Sequence, residues 1–252
     1  MEKMILWEDG IRLVGVLERP NQVKSPLCIV LHGFTSSMNK PHTIAACEAM
    51  REAGFATLRI DLYGHGESGG EFRKHTLYKW ISNTLTWIDY AEKLDFVTEI
   101  WLSGHSQGGL TAALVGGIAP DCVRGMILRA PAFLIPRGAR AGEMLGRRFD
   151  PEHVPREFET IKGLTLEGNY IRVAQSIRVE DAIARFPGPV LLLHGGLDDV
   201  VPVSDSREAA GRYQNCDLKI LEGETHHFDR KQALMKDIIR DWLQMQPGER
   251  PQ

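Results

Sequence analysis

From residue 27 onward, short apolar-rich runs alternate with longer amphipathic stretches, and this alternation restricts the chain to one broad architecture. Runs at 27–31, 56–60, 100–102, 126–128, 190–193 and 218–221 have strand length, and the longest that are apolar without a break are 27–31 and 190–193. Between and after them, 44–53, 77–94, 107–118, 204–213 and 231–242 carry helical periodicity. An unbroken apolar run suits a strand covered on both faces, and strand–helix alternation implies parallel βαβ units. Two earlier β-prone runs, 5–8 and 11–18, are split by Asp9-Gly10, a hairpin signal. The expected fold is therefore α/β, with a mostly parallel eight-stranded sheet and helices on both faces.

One interval breaks the rhythm. From Pro131 to Gly188 there are 58 residues between two expected core strands, about twice what a crossover helix with short loops needs. The interval is rich in glycine and proline, then resumes helical character near 171–186. Phe133, Leu134, Ile135, Met144, Leu145, Phe149, Phe158, Leu164, Leu166, Tyr170 and Ile171 supply enough apolar side chain to pack. The reading is a core built from 1–130 and 181–252, with 131–180 inserted as a cap, or substrate-binding subdomain, between strands 6 and 7.

Composition narrows the partners. The chain has 252 residues, 43% hydrophobic and 25% charged, which is ordinary for a globular protein and too apolar for disorder. A formal net charge of −3 makes a poor binder of polyanions, so nucleic acid is not expected. No apolar run reaches the length that a membrane span needs. The N-terminus, MEKMILWEDG, lacks the apolar segment of a signal peptide, so a cytoplasmic location is expected. Cys28, Cys47, Cys122 and Cys216 form no CxxC pair, so neither a metal knuckle nor a dithiol motif is read, and the thiols are expected reduced. A homodimer formed through the insertion is left open.

The chemistry concentrates in Gly104-His105-Ser106-Gln107-Gly108-Gly109, which follows the run 100–102 and opens the helical stretch 107–118. A G-x-S-x-G pentapeptide between strand and helix is a nucleophile elbow: glycines permit a sharp turn that lifts the serine hydroxyl to the carboxyl ends of the strands. The following helix begins with unpaired N–H groups that favour a developing oxyanion. A serine hydroxyl needs a base. His226, in the loop after the last strand, is chosen, with His227 the alternative. The base needs an orienting carboxylate. Asp198, after the run 190–193, is chosen over Asp199, and the order Ser, Asp, His results. The oxyanion hole needs two backbone donors; the Gln107 N–H and, from the loop His32-Gly33-Phe34, the Phe34 N–H are expected to supply them. His32 and His194 each end a strand before glycine and are read as rim residues. His65 is given a structural role in the glycine-rich loop 61–70.

HGF at 32, DxxGHGxSxG at 61, GHSQGG at 104, HGxxDxxVP at 194 and GxxHxF at 223 occur in that order across about residues 26–245. Together they resemble the serine α/β-hydrolase superfamily, and the chain's size, elbow and insertion resemble the bacterial cinnamoyl (feruloyl) esterase group within it. The resemblance implies an α/β-hydrolase fold and a cofactor-free, metal-free Ser106–Asp198–His226 esterase with an oxyanion hole at Phe34 and Gln107. The substrate implied is a small-molecule ester of hydroxycinnamoyl, other aryl or short-chain type. Acylglycerol lipases, serine peptidases and acyltransferases of the fold share most of these motifs. Tyr170, and with less support His105, are the candidate substrate contacts; Tyr170 equally suits packing of the insertion onto the core. Arg137, Arg140, Arg147 and Arg148, against one Glu143, depart from the group's pattern. They fit either a carboxylate-bearing substrate or a solvated face.

Overall fold

The computed structural model describes residues 1–246, so positions 247–252 of the expected second core segment lie outside the described residues. A hairpin of β1 (Glu2–Glu8) and β2 (Ile11–Glu18) leads to β3 (Ser25–Leu31), α1 (Pro41–Glu52), β4 (Ala56–Asp61), a 3-10 turn at Phe72–Lys74, and α2 (Leu77–Ala91). Then come β5 (Val97–His105), α3 (Gln107–Ile118) and β6 (Gly125–Arg129). The helix expected at 44–53 starts earlier because Pro41, whose fixed φ suits a first turn, occupies its opening position.

The eight sheet strands run in the order β1-β2-β4-β3-β5-β6-β11-β12, closed by β11 (Val190–Gly195) and β12 (Cys216–Leu221). All pairings from β4 onward are parallel; β2 is antiparallel to both neighbours. Strand alternation divides the core in two. Leu27, Ile29 and Leu31 join Trp80, Trp87, Leu110 and Ile183 on one face, whereas Cys28 and Val30 join Met50, Trp101, Met235 and Trp242 on the other. Helix α1 and the closing helix α8 (Gln232–Met245) thus cover one face, and α2, α3 and α6 (Val179–Arg185) cover the other. None of the described helices is long and apolar enough to cross a membrane.

The expected insertion holds α4 (Leu134–Ala141), a small hairpin of β7 (Glu143–Met144) and β8 (Arg147–Arg148), a second hairpin of β9 (Glu157–Glu159) and β10 (Thr165–Glu167), and α5 (Asn169–Ser176). Ile135, Met144, Phe158, Leu166, Tyr170 and Ile171 are buried in the larger core cluster, so the segment packs rather than straying into solvent. The single helical stretch expected at 171–186 is two helices, because Ile177 and Arg178 are extended. Residues 143–144, 147–148, 157–159 and 165–167 form the unexpected hairpins; their two- and three-residue arms are too short for a periodicity to show.

The chain leaves β3 to one side to make β4 and returns on the other to make β5. The loops after β3 and β5 therefore diverge across the carboxyl ends of the sheet, the crevice where open α/β sheets place ligands. Helix α7 (Val203–Ala210) follows the loop after β11 at that same end.

Candidate active site

Ser106 stands between β5 and α3 with φ 54 and ψ −120, a backbone conformation that side chains rarely adopt. Its surroundings over-determine it. The Ser106 N–H donates to the Arg129 carbonyl at 2.9 Å, and its carbonyl accepts from the Leu110 and Ala132 N–H groups. Both flanking glycines are obligatory: a Cβ on Gly104 would lie 2.2 Å from the Gly108 carbonyl oxygen, and one on Gly108 would lie 2.2 Å from that of His32. The elbow thus forms only where helix and two strands approach to backbone contact.

His226 and Asp198 reach Ser106 from the loops after β12 and β11. The His226 Nε2 is 3.0 Å from the Ser106 Oγ, and its Nδ1 is 2.7 Å from the Asp198 Oδ2. The ionised carboxylate only accepts, so Nδ1 carries the hydrogen and Nε2 is left with a lone pair for the serine proton. Asp198 has no exposed side-chain surface. Burial works to raise its carboxyl, but hydrogen bonds from His194 and His226 and from the Val201 N–H outweigh burial and hold it below the usual carboxylate range. The alternatives are not brought in: Asp199 and His227 are exposed, and the carboxylate on His226 is that of Asp198.

Two residues escaped sequence reasoning here. Glu224 is fully buried, and its carboxylate accepts from the N–H groups of Thr225, Arg230 and Lys231, fixing the turn that carries His226. His194, expected only at the rim, has its Nε2 3.1 Å from the Asp198 Oδ2. Its signal was the four-residue spacing to Asp198 at a strand end.

Among the described residues, neither of the two expected oxyanion donors, the Phe34 and Gln107 N–H groups, takes part in the backbone–backbone hydrogen bonds of turns and loops. Gln107 opens α3, where an N–H has no partner within the helix. Gly33 lies against the elbow, since a Cβ there would come 3.2 Å from the Ser106 Cβ. Asp61 braces this loop by accepting from the Met38 N–H with one oxygen and the Glu67 N–H with the other.

Tyr170 is fully buried and donates its hydroxyl hydrogen to the Gln107 Oε1 at 2.7 Å. Its ring lies near those of Phe34 and His75. It thereby ties the insertion to the elbow. His105 does not present itself as a substrate contact. Its ring is 3% exposed, packs on His42 and His226, and donates from Nε2 to the His226 carbonyl at 2.8 Å. It lies beneath the His226 loop, its ring centroid 4.7 Å from that of His226. His65 is also buried, its Nδ1 on the Tyr63 carbonyl and its ring among His32, His75 and Trp80. Three of the four insertion arginines hold protein groups: Arg137 holds Asp205, Arg140 the Gln175 and Ile177 carbonyls, and Arg148 Glu143. Among the described residues, no group of three or more His, Cys, Asp or Glu side chains is arranged to hold a metal ion.

Residues 22–158, more than half of the chain, match the family described as serine aminopeptidase, S33. The structure of Est1E from Butyrivibrio proteoclasticus with ferulic acid bound superposes with a TM-score of 0.93 at 45% identity, covering 95% of this chain and 97% of that one. A monoacylglycerol lipase of Mycolicibacterium smegmatis is 24% identical over 93% of both chains. The human mitochondrial palmitoyl-protein thioesterase ABHD10 is 28% identical over 86% of this chain and 71% of its own length.

Proposed function

The chain belongs to the serine aminopeptidase S33 family and is a serine ester hydrolase of the α/β-hydrolase fold; on that premise we propose that it cleaves hydroxycinnamoyl or other aryl and short-chain esters through an acyl-enzyme on Ser106. The observation that carries the mechanism is the continuous path from the Ser106 Oγ to the His226 Nε2 and from the His226 Nδ1 to Asp198. Ser106 Oγ attacks the ester carbonyl while His226 takes its proton. Asp198 stabilises the imidazolium so formed. The charge on the carbonyl oxygen falls to the Phe34 and Gln107 N–H groups, each such donor being worth about 3–4 kcal/mol. His226 then protonates the departing alcohol; it next takes a proton from a water that attacks the acyl carbonyl, and returns that proton to the Ser106 Oγ as the acid is released.

The aryl-acyl preference is supported by likeness to a protein solved with ferulic acid bound. The segment 131–180 acts in this reading as the cap over the acyl site, with Tyr170 coupling it to Gln107. A second reading, acylglycerol lipase, rests on the M. smegmatis relative. Steady-state turnover of methyl ferulate beside p-nitrophenyl butyrate and a monoacylglycerol decides between them: the proposal expects methyl ferulate or the aryl ester to have the highest kcat/KM. A preference for the monoacylglycerol overturns the aryl assignment.

A further inference from the structure

The Asp198 carboxylate serves two imidazoles. His226 Nδ1 lies 2.7 Å from its Oδ2, and His194 Nε2 lies 3.1 Å from the same oxygen. The His194 Nε2 is also 3.0 Å from the Val201 carbonyl. Both partners can only accept, so Nε2 must carry the hydrogen, and the His194 Nδ1, 2.7 Å from the Ser206 Oγ, accepts that hydroxyl's hydrogen. His194 and Ser206 have no exposed surface. The other Asp198 oxygen accepts the Val200 and Val201 N–H groups at 2.9 and 2.8 Å. Ser206 is itself placed by α7, whose Asp205 is held by Arg137 of the insertion.

We propose that His194 is a positioning residue for the Asp198–His226 pair: locked by Ser206 with its hydrogen on Nε2, it aims the shared carboxylate oxygen at His226 and drains part of its charge. The inference rests on the proposed Ser106–His226–Asp198 mechanism. Each donor to one oxygen weakens the hold of the next, so His194 limits how strongly Asp198 retains the imidazolium. The base then releases its proton readily to the leaving alcohol. Three further imidazoles act on the pair, His42 from α1, His105 from β5 and His227 from the His226 loop; the buried Arg129 acts on His42 and His105, Lys40 on His42, and Asp229 and Lys162 on His227. They are untouched by the substitutions below.

The test compares His194→Leu, His194→Gln and Ser206→Ala with the wild-type chain by kcat/KM of p-nitrophenyl acetate against pH, each checked for fold by circular dichroism. His194→Leu should lower kcat/KM about 10-fold and move the acidic limb of the profile up by about half a pH unit. His194→Gln, whose amide N–H₂ reaches the place of Nε2–H, should restore both. Ser206→Ala should shift the limb in the same direction by less, and it carries the test if His194→Leu does not fold. A folded His194→Leu with an unmoved acidic limb overturns the proposal, as does lost activity that glutamine does not rescue, or an unchanged profile in Ser206→Ala. Ser106→Ala in parallel separates the two claims: turnover surviving in that variant defeats the acyl-enzyme mechanism itself, whatever His194 does.

Discussion

The phenolic hydroxyl of Tyr170, in the insertion, donates to the side-chain oxygen of Gln107 at 2.7 Å, one residue beyond the serine at the tip of the elbow. Burial pushes that hydroxyl far above its ordinary titration range, so it remains a donor at every working pH. The other end of the Gln107 amide, Nε2, is buried without a partner. Tyr170→Phe should therefore leave both ends of a buried amide unsatisfied and lower stability by about 1–3 kcal/mol. Loosening Gln107 should also lower kcat more than it raises KM. Urea unfolding and steady-state kinetics on one preparation check both.

The Ser106 backbone stores strain. Its positive φ costs a side-chain-bearing residue on the order of 1–3 kcal/mol, and glycine is spared it. Ser106→Ala and Ser106→Gly should both be inactive. The glycine variant should nonetheless be more stable than the alanine variant by about 1 kcal/mol, after its greater unfolded-state entropy is counted. Thermal melts of the two variants measure the difference.

Glu224 organises the His226 turn from behind. Its carboxylate meets three backbone N–H donors, so Glu224→Gln must turn an N–H₂ group toward at least one of them. The His226 turn should loosen. We expect kcat to fall about 10-fold or more, with hydrogen exchange rising in residues 224–231. Unchanged exchange and unchanged kcat would remove Glu224 from the account.

Acid stability follows from buried neutral histidines. Burial lowers His32 to about 4, His65 to about 3 and His75 to about 3, and burial with the nearby Arg129 charge lowers His42 to about 2. Unfolded, each titrates near 6.5. Below that pH the unfolded chain binds protons that the folded chain refuses, so stability is full above about pH 6.5 and falls as pH drops toward the folded values. Each such histidine removes up to about 1.4 kcal/mol per pH unit in that window. Urea midpoints measured from pH 7 to 4.5 should decline steadily. A flat profile down to pH 4.5 would contradict the burial of these rings.

The elbow and its partners were readable in the sequence because each sits at the end of a strand whose apolar run is visible, and the sheet brings strand ends together by construction. Ser106, Asp198 and His226 follow β5, β11 and β12, so strand order alone converges them. The strand end offers Asp198 and Asp199 alike, and the structure shows what separates them: Asp198 turns inward under the Val200 and Val201 N–H groups. What the sequence hid depends on contacts between distant segments. Glu224 looks like an ordinary loop acid until its N–H partners are seen, and His194 looks like a rim residue until Asp198 bends back four positions onto it. The small hairpins of the insertion are stabilised by burial of Met144, Phe158 and Leu166 in the larger core cluster, a tertiary effect that no local pattern announces.

The central claim is that Ser106 carries the acyl group. Intact-mass measurement and peptide mapping after exposure to an aryl phosphonate test it directly. The account predicts one adduct per chain, on Ser106, formed in step with loss of ester turnover and absent from Ser106→Ala. An adduct on another residue, or turnover persisting after Ser106 is fully modified, would contradict it.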